Sequence, residues 1–163
     1  MNKTYYVCKY TPVEVFEAMG VEIRRIQPEV TNFNQADTLM HPNICSFTKS
    51  VLEDVLAGDY EGVVLTTCCD SIRRLYDVLK QQCPDKFLYL LDVPRKVNDF
   101  STDMYRENIL DMVHAYEAFS GKTFDEIVLK QLLERREAGQ NLRTAPKNKA
   151  SVHIGLMGAR CSK

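Results

Sequence analysis

Two uninterrupted apolar runs, separated by a segment of helical periodicity, restrict this chain to few folds. The runs are residues 62–65 and Phe87–Leu91. A strand with one face in water alternates apolar and polar residues, whereas a continuous apolar run is typical of a strand buried on both faces. Between the runs, Ile72, Leu75 and Leu79 recur at helical spacing. The pattern predicts an α/β fold, in which a parallel, Rossmann-like sheet carries helices on both faces.

The rest of the chain continues this alternation of strands and helices. Two further strands are predicted, over 5–10 and 21–26. Four further helices are predicted: a short one between Thr11 and Gly20, and longer ones over 45–57, 102–119 and 124–138. Residues 32–44 are mostly polar, and we interpret them as a loop.

Cap signals mark the start of three helices. Thr11 stands at the expected N-cap of the first helix, with Pro12 at its first helical position. Thr123 and Glu126 have the spacing of a capping box. Asp70 is the predicted N-cap of the helix that follows the first apolar run.

The chain length allows one ordinary domain and the beginning of another. With 163 residues and 45% hydrophobic content, the chain can bury a core. We expect an N-terminal α/β domain over 1–139 and a polar linker over 140–151. Residues 152–163 are the expected first strand and turn of a second α/β domain, so we expect a truncated chain.

Charge and hydropathy limit the location and the partners. The formal net charge of -1 disfavours a nucleic-acid partner. No apolar run approaches the roughly 18 residues of a membrane span, and no signal peptide is evident, so we expect a cytoplasmic protein. In that compartment cysteines are thiols or metal ligands rather than disulfides. The six cysteines are Cys8, Cys45, Cys68, Cys69, Cys83 and Cys161.

Cysteines stand where predicted strands or loops meet the starts of helices. Cys68 and Cys69 follow the apolar run 62–65, and Cys45 is the first residue of another predicted helix. Unpaired backbone N–H groups and the helix dipole at such junctions favour negative charge, which lowers a thiol pKa. Thiolate is the form that binds metals and acts as a nucleophile. The sequence therefore predicts iron–sulfur or thiol chemistry.

Five segments of the chain, 12–20, 43–50, 67–76, 91–94 and 105–122, match the motifs of one family in the same order. They resemble the 2-hydroxyacyl-CoA dehydratases and benzoyl-CoA reductases, of the 2-hydroxyglutaryl-CoA dehydratase D-component type. The resemblance covers the N-terminal part of that family's subunits. Segment 43–50 is similar to the family's first cysteine segment, and 67–76 to its Cys-Asp segment. The other similar segments are 12–20, 91–94 and 105–122.

The resemblance implies a [4Fe-4S] subunit of a radical enzyme. In the family, an ATP-dependent activator protein delivers one electron to the cluster. The electron passes to an acyl-CoA thioester, after which water is eliminated from a 2-hydroxyacyl-CoA or an aromatic ring is reduced. A second dehydratase subunit is the other implied partner.

The resemblance also assigns residues. By position, Cys45 matches the family's first cluster ligand and Cys69 matches the second. The family's third ligand lies in the second half of its subunits. Cys161 falls at the entry to that half, and we do not equate it with the third ligand. Lys49 and Arg73 lie in the first turns of helices, where a positive charge opposes the dipole. We interpret them as cofactor-binding cations that balance a cluster or contact CoA phosphates; the alternative is a solvated helix surface. No catalytic residue is assigned.

The remaining candidates have mainly structural interpretations. Cys8, within a predicted strand, and Cys83, near a helix end, are interpreted as small buried side chains. Cys68 is expected to pack into the core. Asp92 and Arg95 follow a strand end, where α/β sheets bind ligands, and are weaker candidates for the same crevice.

Two alternative functions stay open. One is a non-catalytic accessory or truncated protein that keeps the fold without the site. The other is a thiol-redox protein that uses Cys68 and Cys69, since adjacent cysteines can form a strained, reducible disulfide.

Overall fold

A four-stranded parallel sheet with helices on both faces forms the body of the protein. The structure is a computed structural model that describes residues 3–141. Its elements are β1 (Thr4–Tyr6), α1 (Val13–Ala18), β2 (Ile23–Arg25), α2 (Asn34–Leu39), α3 (Ser46–Ala57), β3 (Gly62–Thr66), α4 (Asp70–Gln82), β4 (Phe87–Leu91), α5 (Asp99–Ser120) and α6 (Glu126–Asn141). The predicted linker beyond residue 141 and the predicted strand and turn over 152–163 lie outside the described residues.

The strand order is β2-β1-β3-β4, and every pair is parallel. In register, Tyr6 lies beside Val64, which lies beside Tyr89. The chain therefore adds β2 on one side of β1, then crosses back to add β3 and β4 on the other. In open α/β sheets such a reversal opens a crevice outside the carboxyl ends of the two central strands. Here those strands are β1 and β3.

Successive side chains of β3 enter two separate cores, because neighbouring residues of a strand point to opposite faces. Val63 and Leu65 are fully buried with residues of α3 and α4. Val64 is fully buried with residues of α1 and α5. This confirms the predicted α/β fold with helices on both faces. In the part of the chain that the structure describes, no helix is long and apolar enough to cross a membrane.

The prediction of a loop over 32–44 is wrong, because the segment contains α2. Glu53 of α3 accepts hydrogen bonds from the backbone N–H groups of Gln35 and Ala36, at 2.7 and 2.8 Å. Lys49 of α3 adds an ion pair with Asp37 at 2.6 Å. The helix is therefore held by α3, through contacts that the polar segment itself does not reveal.

Two predicted caps are also wrong. Thr11 is buried and its hydroxyl has no hydrogen-bond partner among the described residues, while Pro12 occupies the N-cap of α1. At the start of α6, the Asp125 carboxylate accepts from two backbone N–H groups, at 2.8 and 3.1 Å. Asp125 therefore caps α6 in place of the predicted box of Thr123 and Glu126.

Replacing Glu53 with alanine should release α2 from α3. Two backbone N–H groups lose a charged acceptor, and the loss should cost about 1–3 kcal/mol of unfolding free energy. Urea denaturation measures the free energy, and hydrogen exchange reports on residues 34–44.

Glu107→Ala, on the exposed side of α5, is the matched control and should change the free energy by less than about 0.5 kcal/mol. Unaltered exchange of 34–44 in Glu53→Ala would contradict the anchoring role of Glu53.

Candidate functional site

A crevice of about 460 Å³ lies at the carboxyl ends of β1 and β3, where the strand order reverses. Residues that follow β1 and β3 line it, together with the end of β2 and the start of α3. Four cysteines belong to this lining: Cys8, Cys45, Cys68 and Cys69. We call this cavity the thiol crevice. Its position is the one at which open α/β sheets bind ligands.

The end of β1 brings Cys8 to the thiol crevice. The predicted strand over 5–10 ends at Tyr6, because the chain turns and the Thr11 N–H donates to the Cys8 carbonyl at 3.1 Å. The Tyr105 hydroxyl of α5 donates to the Tyr10 carbonyl at 3.1 Å and holds this turn against α5. Cys8 is half-buried beside the crevice. The prediction that Cys8 lies within a strand is therefore wrong, while its structural role stays a prediction.

The end of β3 brings Cys68 and Cys69 to the same place. Both are exposed, so the expectation that Cys68 packs into the core is wrong. Partial burial raises the pKa of the Cys68 thiol, and the neighbouring thiols of Cys8 and Cys69 raise this pKa further. The lower thiol pKa that we expected at a helix start is therefore not found for Cys68.

Cys45 and Cys69 occupy equivalent positions on two neighbouring helices. Cys45 is the N-cap residue of α3 and Cys69 that of α4, each with extended backbone angles. Asp70, the predicted N-cap, is instead the first helical residue. The Cys45 sulfur lies 3.1 Å from the hydroxyl of buried Thr48, which fixes it at the start of α3. The two predicted metal ligands thus meet at one crevice, although they lie on different helices.

The two predicted cofactor-binding cations lie elsewhere. The Lys49 side chain is only 10% exposed and pairs with Asp37, so it is no solvated surface residue. Arg73 is exposed in the first turn of α4. Neither belongs to the lining of the thiol crevice, whereas Lys9 and Arg25 do. Lys9 and Arg25 were not predicted as residues of the site. Their position at the carboxyl ends of two predicted parallel strands was the sequence signal that could have identified them.

A hydrogen-bonded link holds the turn that carries Cys68 and Cys69. The hydroxyl of Thr67 donates to the Asp92 carboxylate and accepts from the Val93 N–H at 3.0 Å. The Thr67 N–H donates to the Leu91 carbonyl, also at 3.0 Å. Asp92 therefore ties the end of β4 to the end of β3, and it does not line the crevice.

The crevice thiols are the type of ligand that an iron–sulfur cluster needs, but the described residues do not provide enough of them in one arrangement. Iron–sulfur clusters are held by cysteine thiolates, and Cys45 and Cys69 present thiols at one crevice. Within residues 3–141, however, no group of three or more His, Cys, Asp or Glu side chains is arranged to hold a metal ion. Among the described residues, the donor set for such a site is therefore incomplete.

Comparison with known proteins identifies the family. The family model described as 2-hydroxyglutaryl-CoA dehydratase, D-component, matches residues 8–150, so the chain belongs to this family. The chain is also similar to the (R)-phenyllactyl-CoA dehydratase beta subunit of Clostridium sporogenes, with 27% identity over 133 residues. That alignment covers 77% of this chain and 34% of the relative. The matched region thus spans about a third of the relative's length.

Replacing Thr67 with valine should loosen the turn that carries Cys68 and Cys69. Valine keeps the side-chain shape but leaves the part-buried Val93 N–H without its acceptor, at a cost of about 0.5–1.5 kcal/mol. We expect faster alkylation of both cysteines by iodoacetamide, followed by peptide mass spectrometry.

Thr67→Ser keeps the hydroxyl and is the matched control, with alkylation close to that of the wild type. Equal alkylation rates in the valine and serine variants would show that the hydroxyl does not hold the turn.

Proposed function

We propose that this chain is the N-terminal part of a [4Fe-4S] subunit of a 2-hydroxyacyl-CoA dehydratase, with Cys45 and Cys69 as two of the cluster ligands. One observation carries the proposal: these two cysteines are the N-cap residues of α3 and α4, and both line the thiol crevice. Membership of the dehydratase family supports the assignment of substrate class.

Two helix N-termini meet at the thiol crevice. Neither α3 nor α4 has a side-chain hydrogen bond at its N-cap, so first-turn N–H groups are not satisfied by a cap. These groups and the two helix dipoles place positive potential at the start of each helix. Such potential favours an anionic group at the crevice.

The complete enzyme would use further parts. When bound, a [4Fe-4S] cluster supplies one-electron transfer, which after ATP-driven activation would allow radical loss of water from a 2-hydroxyacyl-CoA or reduction of an aromatic acyl-CoA. Cys45 and Cys69 would hold the cluster at the switch point of the sheet. A second dehydratase subunit and an ATP-dependent activator are the proposed partners, in the cytoplasm, where thiols stay reduced.

The two predicted cofactor-binding cations differ in how well they suit this role. Lys49 is engaged with Asp37 and supports the contact between α2 and α3. Arg73 is exposed one turn beyond Cys69, on the outer surface of α4. We therefore propose Arg73 as the contact for CoA phosphates and Lys49 as a positively charged support beside Cys45.

Anaerobic reconstitution with iron and sulfide tests the cluster proposal. The wild-type chain should gain bound iron, broad visible absorption and, after reduction, the electron paramagnetic resonance signal of an iron–sulfur cluster. Cys45→Ser combined with Cys69→Ser should lose all three, because the two thiolates are removed.

Cys83→Ala is the matched control, since Cys83 is buried at the end of α4 and does not line the crevice. It should keep the iron, provided that circular dichroism shows a folded chain. A folded wild-type chain without iron would instead support the accessory or truncated protein. Equal loss in the control would reject Cys45 and Cys69 as specific ligands.

A further inference from the structure

The lining of the thiol crevice holds two cationic side chains and no carboxylate. Lys9, which follows β1, and Arg25, the last residue of β2, both belong to this lining. No Asp or Glu of the described chain lies there with them. Thiols, apolar side chains and hydroxyls make up the rest. The side chains of the crevice therefore carry a net positive charge, which favours an anionic ligand.

Neither cation is neutralised by a carboxylate in the described part of the chain. The ion pairs described there involve five other cations: Lys3, Arg24, Lys49, Arg74 and Arg136. The Lys9 ammonium lies over the ring of Tyr10, 5.1 Å from its centroid, which supplies no counterion. Arg25 also borders a neighbouring cavity that contains Glu29 and Asp54, yet no described ion pair joins it to either. Both charges are thus available to a ligand.

We propose that Lys9 and Arg25 bind a free carboxylate at the far end of the substrate's acyl group. The substrate would then be a dicarboxylic acyl thioester, in which one carboxyl forms the thioester and the other stays ionised. A guanidinium binds a carboxylate through two parallel hydrogen bonds, and an ammonium adds a compact positive charge. The thioester part of this assignment rests on the proposed function, whereas the carboxylate site rests on the crevice alone.

The other walls of the crevice favour a carboxylate on a hydrocarbon chain over an inorganic anion. Val7 and Ile72 are buried, and Phe47 is half-buried, in the same lining. The volume of about 460 Å³ falls in the range of about 300–1,000 Å³ that is typical of sites for organic ligands. A lone inorganic ion would leave apolar surface in contact with water, whereas a hydrocarbon chain would cover it.

The strand order separates the two ends of such a ligand. Arg25 ends β2 and Lys9 follows β1, whereas Cys69 follows β3, on the other side of the switch point. In the order β2-β1-β3, the outer two strands lie two strand spacings apart, which is about 10 Å. A short chain whose carboxylate is bound by the cations can therefore extend across the crevice and bring its thioester end towards Cys69.

Binding of small esters to the whole, metal-free chain tests the proposal. Monomethyl glutarate has one free carboxylate, and its ester group stands for the thioester. In nuclear magnetic resonance titrations of the isotope-labelled chain at neutral pH and low salt, it should shift the amide signals of Lys9 and Arg25. Dimethyl glutarate, which lacks the charge, should bind about tenfold more weakly. Inorganic phosphate, which lacks the hydrocarbon chain, should also bind more weakly than the monoester.

Arg25→Gln and Lys9→Gln should each weaken binding of the monoester by about tenfold, because each removes one charged donor. Arg24→Gln is the matched control. It removes the same charge from the adjacent position of β2, but Arg24 pairs with Glu22 and does not line the crevice. Binding to this variant should stay within about twofold of the wild type, since exposed charges are screened.

Equal weakening in Arg24→Gln would show a general effect of charge and overturn the site. The same follows if dimethyl glutarate or phosphate binds as tightly as the monoester, or if the folded chain binds none of them. Binding of glutarate without binding of the monoester would assign the two cations to a free dicarboxylate, which contradicts their contact with an acyl group.

The titration is independent of the cluster proposal. It uses no iron, so a chain that never binds a cluster can still bind the monoester. Arg25→Gln should in turn retain iron after anaerobic reconstitution, because Arg25 is not a proposed ligand. Loss of iron binding therefore concerns Cys45 and Cys69, and loss of ester binding concerns the two cations.

Discussion

The pairing of β1 with β3 is the contact on which the rest of the structure depends. Residues far apart in the chain become neighbours through it, with Tyr6 beside Val64. Because β2 lies on the opposite side of β1, the connections on the two sides of this pair cover opposite faces of the sheet. The carboxyl ends of β1 and β3 are left uncovered between them. The thiol crevice is therefore a consequence of strand order.

The elements predicted correctly are those whose signals lie within the element itself. The continuous apolar run of β4 indicates a strand buried on both faces, and helical spacing followed by Gly58 indicates α3 and its end. In contrast, α2 is stabilised by Glu53 and Lys49, which belong to the next helix. The sequence of α2 is polar and predicts a loop, because the carboxylate that accepts its first N–H groups belongs to Glu53 of the next helix.

The same distinction separates the predicted from the missed parts of the site. Cys45 and Cys69 were predicted as site residues because cysteines close to the start of a helix are visible in the sequence, and because the resemblance to the dehydratase family matched them to ligands. Cys8 was missed because its strand was predicted to continue to residue 10, and the early turn depends on Tyr105 of α5. The burial of Lys49 likewise depends on Asp37 of α2.

The four thiols of the crevice differ in physical environment, and this difference separates their chemistry. Cys45 and Cys69 stand at helix N-caps, where backbone dipoles stabilise negative charge. Cys8 and Cys68 follow the ends of β1 and β3, and partial burial raises the pKa of the Cys68 thiol. Strand ends and helix starts, which belong to different parts of the chain, thus bring four thiols to one cavity.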